Sequence, residues 1–537
     1  ANWRDEHGNP TSCVPSQFDN VFFDALSFSG AVKTVTVTGD ANSSIYCNNL
    51  DWTGVTGNHK ITSGTGQNLY IHGSLTLVSG MDWDFNGNAY FKGKDTGKPA
   101  YSITSAGQSF KRGVFFQGNG TYELNDNFTI TGNYNVGLDN GVLILNNITL
   151  TAWRFLSTAT SSRTLNLGNS VVILSYSDGS NHALDINASN FQVTGGTSLF
   201  RLTGAQAGFR VTNGNHTFHN VNFEGSAGRL NAANCTFNTV ANSASNGSAT
   251  ISGGSVTINT LTTTGNATIG GNNNNITTLV AGGTATINND NGNYNHATLQ
   301  GNGTITGSNT FGTLILTAGK TYTITHSKIL TILTDLVAEG TCAEPMTIQS
   351  SSTTLQTTIH KSAGTVTVTR AFMQGLIASG GALFEAINSV DMDNSNTGWD
   401  FIVVPENLYW VGGSGNWSDV NKWSHESGGA VGYCVPSRLD NVIFDANSFF
   451  QEAQFVQIDI TNAECYNMDW TGVQFVPTFM GAQANNLSIY GSLTFSPNMN
   501  FTFAGNVYFE GKSAAKSAYN IISSGKSFNR HVYFNGV

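Results

Sequence analysis

Four cysteines recur as two pairs along the chain, and thiols at such spacing can either form disulfides or bind a metal ion. Cys13 and Cys47 lie 34 positions apart (47 − 13), and Cys434 and Cys465 lie 31 apart (465 − 434). No CxxC motif and no histidine at ligand spacing accompanies them, so two thiolates alone would have to hold an ion. We therefore predict one disulfide in each pair, which indicates an oxidising, extracellular compartment. Two further cysteines occur once each and are interpreted as buried thiols or as a long-range pair: Cys235 and Cys342.

An acidic run further along the chain has oxygen atoms at the spacing that Ca²⁺ could use. Asp391, Asp393 and Ser395 place side-chain oxygens at alternate positions. The run departs from an EF-hand loop, because Gly398 falls at the eighth place instead of the sixth and no Glu follows at the twelfth. The run therefore predicts either a weak Ca²⁺ site or an Asx-rich turn that closes a module.

The acidic side chains are candidates for catalysis only if they converge on one groove, because glycosidases and polysaccharide lyases built on β-helices need such an arrangement. Asp82 and Asp84 share a strand face, but a second copy of the same stretch has Asn500 and Thr502 at these places. No GxSxG, P-loop or GxGxxG motif occurs in a strand-to-helix context. We assign no catalytic residue and expect that the chain is not an enzyme.

Two tryptophans are candidates for contact with a glycan. Trp52 lies in a DWTG motif, and Trp470 lies in the second occurrence of that motif. Aromatic rings on a β-rich surface can form sugar-binding platforms, although strands that alternate as these do more often place their rings in the core. The two indoles are therefore weak predictions for a glycan contact.

All these residues belong to a large internal repeat. The segment CVPSQFDNVFFDALSF at Cys13 returns as CVPSRLDNVIFDANSF at Cys434, displaced by 421 positions (434 − 13). NLYIHGSLT at Asn68 answers NLSIYGSLT at Asn486, with an offset of 418 (486 − 68). Both ends of the chain fall inside a module, so we expect neighbouring modules of the same long chain to be partners.

The stretch from 247 to 318 indicates how the repeat folds, because it can be written as four consecutive frames of 18 residues. A coil of this length cannot bury its own Ile and Leu, so neighbouring coils must stack into a continuous core. We predict an all-β chain, a parallel β-helix or β-solenoid with coils of about 18 to 22 residues and aromatic, disulfide-stapled module heads. The residues in register are Gly247, Gly265, Gly283 and Gly301, then Thr250, Thr268, Thr286 and Thr304, and then Ile251, Ile269, Ile287 and Ile305.

The repeat and the frames divide the chain into four parts. A first module head spans 1–120, and the solenoid body with its closing segment spans 121–400. A short junction spans 401–408, and the second head spans 409–537. Because the junction is brief, we expect that the second head packs on the segment before it and that modules join stiffly.

Composition excludes several classes of partner. Charged residues make up 10% of the chain, and the 23 Lys and Arg are scattered, which argues against nucleic acid. No run of 18 apolar residues occurs, so we predict no membrane span.

The low content of charged residues fits a parallel stack. In such a stack each side chain lies about 4.8 Å from its equivalent, so a charged position would align like charges, whereas Asn, Thr and Ser can hydrogen-bond.

Several segments resemble one family of exported proteins. They are YWVGGSGNWSDVNKWS at Tyr409, the CVPSRLDNVIFDANSF that follows it, GTCAEPMTIQS, and ALFEAINSVDMDNSNTGWDF. These segments resemble the giant repetitive surface proteins of gliding Bacteroidota, the SprB-type adhesins exported by type IX secretion. The resemblance implies an extracellular, cell-surface filament that grips surface polysaccharide or a solid substratum, and it assigns no binding residues. The alternatives are a carbohydrate-active β-helix and a structural protein that packs laterally into a sheath.

Overall fold

The computed structural model of the protein describes residues 3–5, 7–30, 32–38, 44–64, 66–96, 99–212, 214–511 and 518–536. Nearly all regular structure is β-strand, and the described residues include two short 3-10 turns, Met392–Asn394 and Val420–Lys422. No helix in these ranges is long and apolar enough to cross a membrane. The chain forms two compact units. Unit 1 comprises Ala1–Ile315 and Lys328–Asp335, and unit 2 comprises Leu316–Ser327 and Leu336–Val537.

Unit 1 is a parallel β-solenoid, as the sequence predicts. Most strands pair in parallel with the strand one coil later, so that backbone hydrogen bonds run along the stack. Alternate side chains point inward, and the buried positions are almost all aliphatic or aromatic. Apart from these parallel strands, Trp3–Arg4 and Pro10–Thr11 form a short antiparallel pair.

The coils of unit 1 place strands on three faces. Face A contains Val21–Phe22, Leu50–Asp51, Leu75–Thr76, Tyr101–Thr104, Thr121–Leu124, Gly141–Ile144, Arg163–Asn166 and Phe191–Thr194. Face B contains Thr34–Val37, Lys60–Ser63, Asp82–Asp84, Ser109–Phe110, Phe128–Ile130, Thr149–Ala152, Val171–Leu174, Leu199–Leu202, Thr217–Phe223, Thr236–Asn242, Thr257–Thr263, Asn275–Ala281 and Asn293–Leu299. Face C contains Ser44–Cys47, Asn68–Ile71, Ala89–Phe91, Val114–Phe116, Asn135–Leu138, Arg154–Ser157, Leu184–Asn187, Gly208–Thr212, Ala227–Ala232, Ser248–Ile251, Ala267–Gly270, Ala285–Asn288 and Gly303–Ile305. Two further strands, Asn309–Leu316 and Ile329–Glu339, contain residues of both units.

The predicted 18-residue frames are confirmed as the register of the stack. Thr250 pairs with Thr268, and the isoleucine that follows each threonine is buried in the core. The pairing continues through Thr286 to Thr304, always parallel, which excludes antiparallel hairpins in this stretch. At the frame starts, the Gly265 amide donates to the Gly247 carbonyl at 2.9 Å. The period read from the sequence is therefore the period of the backbone hydrogen bonds.

One corner of these coils requires a left-handed backbone. Ser255, Asn273 and Asn291 lie at intervals of one frame and have φ of 55°, 61° and 58°. Asn tolerates this region better than most residues with a Cβ atom, because its short polar side chain can bond locally. At Gly271, φ is 77° and an added Cβ would lie 2.3 Å from the Gly253 carbonyl oxygen. The corner thus explains why Asn and Gly recur at these positions.

The cross-section of unit 1 changes near Thr217. Up to Phe191–Thr194, the residues of faces A and B form separate strands, whereas Thr217–Phe223 is a single seven-residue strand that extends across both. Its ladder pairs Phe218 with Phe237 and Asn220 with Thr239, and leaves His219 between them without a partner in the register. The strand bends at that residue, so each later coil contains two strands where each earlier coil contains three.

Unit 2 contains a closing segment, defined here as residues 336–402, followed by the second head. In unit 2, Thr321–Ile324, Met346–Ser350, Ala371–Gln374 and Val390–Asp391 pair in parallel, and the last three of these strands belong to the closing segment. The other strands of the segment are Thr357–His360, Thr365–Thr369, Leu376–Ser379, Leu383–Ile387 and Asp400–Ile402. The second head has Glu406–Trp410, Trp423–Ser424, Asp440–Ile443, Met468–Asp469, Leu493–Thr494 and Ile521–Ile522 in one sheet. Its other sheets contain Gly415–Asn416, Phe455–Ile458, Thr478–Gly481 and Asn500–Phe501, and then Asn462–Cys465, Asn486–Ile489, Asn506–Phe509 and Val532–Phe534.

The two heads have the same strand plan. Ser44–Cys47 and Asn462–Cys465 are related by the offset of 418 (462 − 44), and each pairs in parallel with the next strand of its own head. The short strands at Leu50–Asp51 and Met468–Asp469 are related in the same way. The sequence repeat is therefore a structural repeat.

The second head packs on the closing segment, as predicted from the short junction. Residues 401–408 are largely strand: Asp400–Ile402 pairs with Leu383–Ile387, and Glu406–Trp410, termed the linking strand, pairs with Asp440–Ile443. Below these strands four tryptophans form the centre of the head core with a relative exposure of 0%, namely Trp410, Trp417, Trp423 and Trp470. The junction is thus a packed interface instead of a free linker.

A buried ion pair joins the closing segment to the second head. The Arg370 guanidinium contacts a carboxylate oxygen of Asp440 at 3.0 Å and one of Glu406 at 2.9 Å. The side chains of Arg370 and Asp440 are 7% and 1% exposed, whereas that of Glu406 is 42% exposed. Burial lowers the pKa of Arg370, but the hydrogen bond and the negative charge of Asp440, together with Glu406, outweigh burial and raise it. Arg370 remains charged and neutralises an almost fully buried carboxylate.

We predict that Arg370→Met destabilises unit 2 by about 3 to 5 kcal/mol, because it leaves the Asp440 carboxylate buried without a cation. The double variant Arg370→Met with Asp440→Asn should recover much of this loss, since no uncompensated charge remains. Urea denaturation followed by tryptophan fluorescence measures both. Arg530→Met, which removes a bond to a single carbonyl group, is the matched control. Equal stability of Arg370→Met and the control would contradict the role assigned to the ion pair.

Candidate functional site

The described residues include all six cysteines and contain one disulfide, which differs from both predicted pairs. Cys342 of the closing segment is bonded to Cys434 of the second head, with 6.0 Å between their Cα atoms. Cys13 is free and exposed, while Cys47 and Cys465 are free and buried. The predicted bonds Cys13–Cys47 and Cys434–Cys465 are therefore wrong.

The position of two cysteines in the strand ladder explains the error. Cys47 is paired with Ile71, and Cys465 with Ile489, so both thiols belong to inward columns of apolar side chains. Burial raises the pKa of Cys47 to about 12, and burial also raises the pKa of Cys465. These thiols are packing residues in a nonpolar core, and Cys235, which is also buried, has its pKa raised for the same reason.

Both candidate tryptophans lie in the core, so the predicted glycan contact is wrong. Trp52 and Trp470 each have a relative exposure of 0%. The Trp52 ring stacks on Phe23 with 4.1 Å between centroids, and the Trp470 ring stacks on Phe444 with 3.6 Å. The alternation of the preceding strand directs both rings inward, where they fill the head instead of facing a ligand.

The candidate calcium run forms an Asx-rich turn. Asp391 Oδ1 accepts hydrogen bonds from the backbone amide of Ser395 at 3.1 Å and from that of Asn396 at 3.4 Å. Asp393 Oδ2 accepts from the Gln374 amide group at 2.8 Å, and the Ser395 hydroxyl donates to the Met392 carbonyl. Within the described ranges, no group of three or more His, Cys, Asp or Glu residues is arranged to hold a metal ion. The turn is observed, and the weak Ca²⁺ site stays a prediction.

Asp82 and Asp84 are placed beside lysines. Asp84 lies 2.6 Å from Lys60 and also contacts Lys111, while Asp82 lies 3.5 Å from Lys60. The hydrogen bonds from Lys111 and then Lys60 lower the pKa of Asp84 to about 2. The second head has Thr478, Thr502 and Asn529 in place of Lys60, Asp84 and Lys111, so the entire charged set is replaced together. This behaviour fits an ion-pair cluster whose members stabilise one another across coils.

A groove that the sequence did not predict lies where faces A and B merge. It has a volume of about 250 Å³. Its walls include Gly195 and Gly196 from the last three-stranded coil and Thr217, His219 and Asn238 from the first coils with a bent strand. The lining presents hydroxyl, amide and imidazole groups that can hydrogen-bond to a sugar, while Phe218 and Phe237 beneath them are 1% exposed and belong to the core.

The sequence contained a partial signal for this groove. His219, Asn238 and Asn259 follow one another at intervals of one coil, and all three line the groove. The intervals are 19 and 21 residues (238 − 219 and 259 − 238), so they differ from the regular frame of 18 that begins further on. Because of this irregular spacing, these three residues are not identified from the sequence as one column.

We predict that iodoacetamide at pH 8 modifies Cys13 in the native chain, because it is the exposed free thiol among the described cysteines. Cys47, Cys235 and Cys465 should react only after denaturation, and Cys342 and Cys434 only after reduction. Peptide mapping by mass spectrometry reads all six positions. Modification of Cys434 in the native chain without reductant would contradict the observed disulfide.

We also predict that the Asp84 cluster makes unit 1 sensitive to acid. A lowered pKa means that the ionised carboxylate stabilises the fold above its ordinary pKa, and that this contribution is lost as the pH falls towards about 2. Asp84→Asn should cost about 1 kcal/mol at pH 7, since the partly exposed lysines are screened by solvent, and should flatten the loss of stability on acidification. Denaturant titrations at several pH values measure this. Asp82→Asn, whose side chain is 58% exposed, is the control, and equal effects of the two variants would contradict the prediction.

Comparisons with protein-family models, with curated proteins and with solved structures found no match to this chain. The candidate sites therefore depend on the geometry described above.

Proposed function

We propose that this chain is a repeat module of a long extracellular surface adhesin, of the kind that gliding Bacteroidota display, and that it serves attachment to polysaccharide or to a solid substratum. The observation that supports this best is the repeated head together with its means of attachment. The second head is joined to the closing segment by the buried Arg370–Asp440 pair and by the Cys342–Cys434 disulfide, and the linking strand between them pairs in parallel with Asp440–Ile443. Such a junction lets a period follow another without a flexible linker, which suits a chain that must transmit force.

The disulfide supports the extracellular part of the proposal. Disulfides persist in oxidising compartments and are rare in the cytosol. A bond that closes 92 positions of sequence contributes stability of about 4 to 5 kcal/mol by restricting the unfolded chain. A bond between two strand-rich segments also resists separation when the chain is pulled, which is the load that an adhesin bears.

Uncharged polar columns on face B support polysaccharide as the partner. Asn220, Thr239, Thr260 and Thr278 lie in register on successive coils, with their side chains partly exposed. Hydroxyl and amide groups repeated about every 4.8 Å can hydrogen-bond to sugar hydroxyls along an extended chain. Each contact is weak, but many contacts on one polymer add through their high effective concentration.

The groove at His219 favours binding over cleavage. Hydrolysis of a glycosidic bond uses two carboxyl groups placed on either side of that bond. The described residues that line the groove carry hydroxyl, amide and imidazole groups, and none of them is Asp or Glu. The chemistry that this lining supports is recognition of a sugar.

The test uses beads coated with the purified full chain. We expect them to adhere to a panel of polysaccharide-coated surfaces above beads coated with albumin, and glycan-array binding should identify the preferred sugar. The triple variant Thr239→Val, Thr260→Val and Thr278→Val keeps the shape of each side chain, removes three hydroxyls and should lower adhesion by about tenfold or more. Adding EDTA in parallel shows whether Ca²⁺ contributes.

The matched control places Thr→Val changes on face C, at Thr250, Thr268 and Thr286, which form a column of the same kind on another side of the coils. Equal adhesion of the wild type, both variants and albumin-coated beads would contradict the adhesive function. Equal loss from the two variants would indicate adhesion without a preferred face.

A further inference from the structure

The first head exposes apolar residues whose counterparts in the second head are covered. Val14, Phe18 and Phe22 are 77%, 80% and 63% exposed. Their counterparts at the offset of 421 are half-buried, and they are Val435, Leu439 and Ile443. We call the surface formed by Cys13, Val14, Phe18, Asp19 and Phe22 the receiving face. Exposed aromatic residues grouped in this way indicate a surface that binds another protein segment.

Two strands at the start of the first head have open backbone edges. Val21–Phe22 and Thr34–Val37 are terminal strands, each paired on one side only within the described sheets. Their counterparts in the second head, Asp440–Ile443 and Phe455–Ile458, are paired on both sides. The additional partners there are the linking strand and Gly415–Asn416, both in parallel register. An open strand edge presents unpaired N–H and C=O groups that a further strand can satisfy.

A carboxylate on the receiving face is already oriented for an arginine. Asp440 Oδ2 accepts hydrogen bonds from the Ser437 amide at 2.9 Å and from its hydroxyl at 2.7 Å, which leaves Oδ1 to meet Arg370. Asp19 Oδ2 accepts the same two bonds from Ser16, at 2.8 and 2.6 Å, and Asp19 is exposed. The first head therefore holds the carboxylate in the same local geometry without the arginine that it meets in the second head.

Cys13 is a further correspondence between the receiving face and the junction surface of the second head. It is the counterpart of Cys434, and it is an exposed free thiol, whereas Cys434 is bonded to Cys342. The first head thus has a counterpart of each second-head group that forms the junction in unit 2. These counterparts are a thiol, a carboxylate, an apolar patch and two strand edges. The chemistry of the occupant is then specified as a cysteine, an arginine and two edge-pairing strands in that arrangement.

We propose that the receiving face binds the closing segment and the linking strand of another copy of this repeat, and that Cys13 forms a disulfide with the residue equivalent to Cys342 of that copy. In this step the two thiols lose two protons and two electrons, and one S–S bond forms. A small-molecule disulfide such as oxidised glutathione accepts them and is reduced to two thiols. The inference rests on the part of the proposed function in which modules follow one another in a longer chain, and it does not depend on adhesion.

The test compares the chain with a tandem protein in which residues 1–420 precede residue 1. This boundary keeps the repeat in register, because Trp3 corresponds to Trp423 at an offset of 420 (423 − 3). Both proteins are refolded in a glutathione redox buffer and mapped without reduction. In the tandem protein we expect a disulfide between the upstream Cys342 and the downstream Cys13, and Cys13 labelling below about a tenth of that in the single chain.

Two variants keep the result interpretable. The downstream Cys342–Cys434 bond is present in the same molecule and reports that the tandem protein has folded. In a tandem protein with Cys13→Ser, the amides of Val21–Phe23 should still exchange more slowly than in the single chain with the same substitution, because strand pairing does not need the disulfide. Upstream Arg370→Met should weaken that protection.

Unchanged Cys13 labelling and unchanged amide exchange in a tandem protein whose downstream bond has formed would overturn the proposal. A Cys13–Cys13 dimer of the single chain, with no cross-module bond in the tandem protein, would overturn it as well, because the occupant would then be a second receiving face. Neither outcome changes the polysaccharide binding measured with coated beads, so failure of this inference and failure of the adhesive function are distinguishable.

Discussion

In-register parallel stacking is the constraint on which the rest of this structure depends. It places every side chain beside its equivalent on the next coil, so the choice of residue at one position limits the choice at the following one. Isoleucine columns fill the core, and on the outside Asn506, Asn486 and Asn462 form a column whose side chains hydrogen-bond from coil to coil at 3.2 and 3.0 Å. At two places in the ladder, opposite charges meet across coils: Asp185 pairs directly with Arg210, and Lys60 with Asp82. The low charge of the chain is a consequence of this geometry.

The same constraint leaves unsatisfied groups at the ends of a stack. A terminal coil exposes backbone groups and apolar side chains that the coil beyond it would cover. Unit 2 satisfies one such end by adding the linking strand to the second head, by burying Arg370 against Asp440 and by bonding Cys342 to Cys434. Strand pairing supplies direction, the buried ion pair supplies register, and the covalent bond resists separation. These properties are the ones that the proposed function, a repeat protein under mechanical load, requires.

Under the proposed function, the binding groups are those of the outer surface of the solenoid. Thr and Asn columns repeat the same hydrogen-bonding groups along face B, and the groove at His219 arises where two strands merge into one bent strand. Both features are products of the stacking itself. The proposed recognition of a repeating polymer would come from repeated weak contacts, for which a surface of uniform chemistry suffices.

Periodicity in the sequence determined the coil, its parallel register and the equivalence of the two heads, because each depends on spacing alone: Thr250 and Thr268 pair as their frames predict. It could not determine contacts between different parts of the period. The recurrence of Cys13 as Cys434 showed that the two are equivalent, but the partner, Cys342, lies in another segment that only folding brings near. For the same reason Trp52 looked available in the sequence and is enclosed by Phe23 in the structure, and the groove exists only where faces A and B meet. Local spacing decides which residues are equivalent, whereas burial and pairing across the fold decide which residues touch.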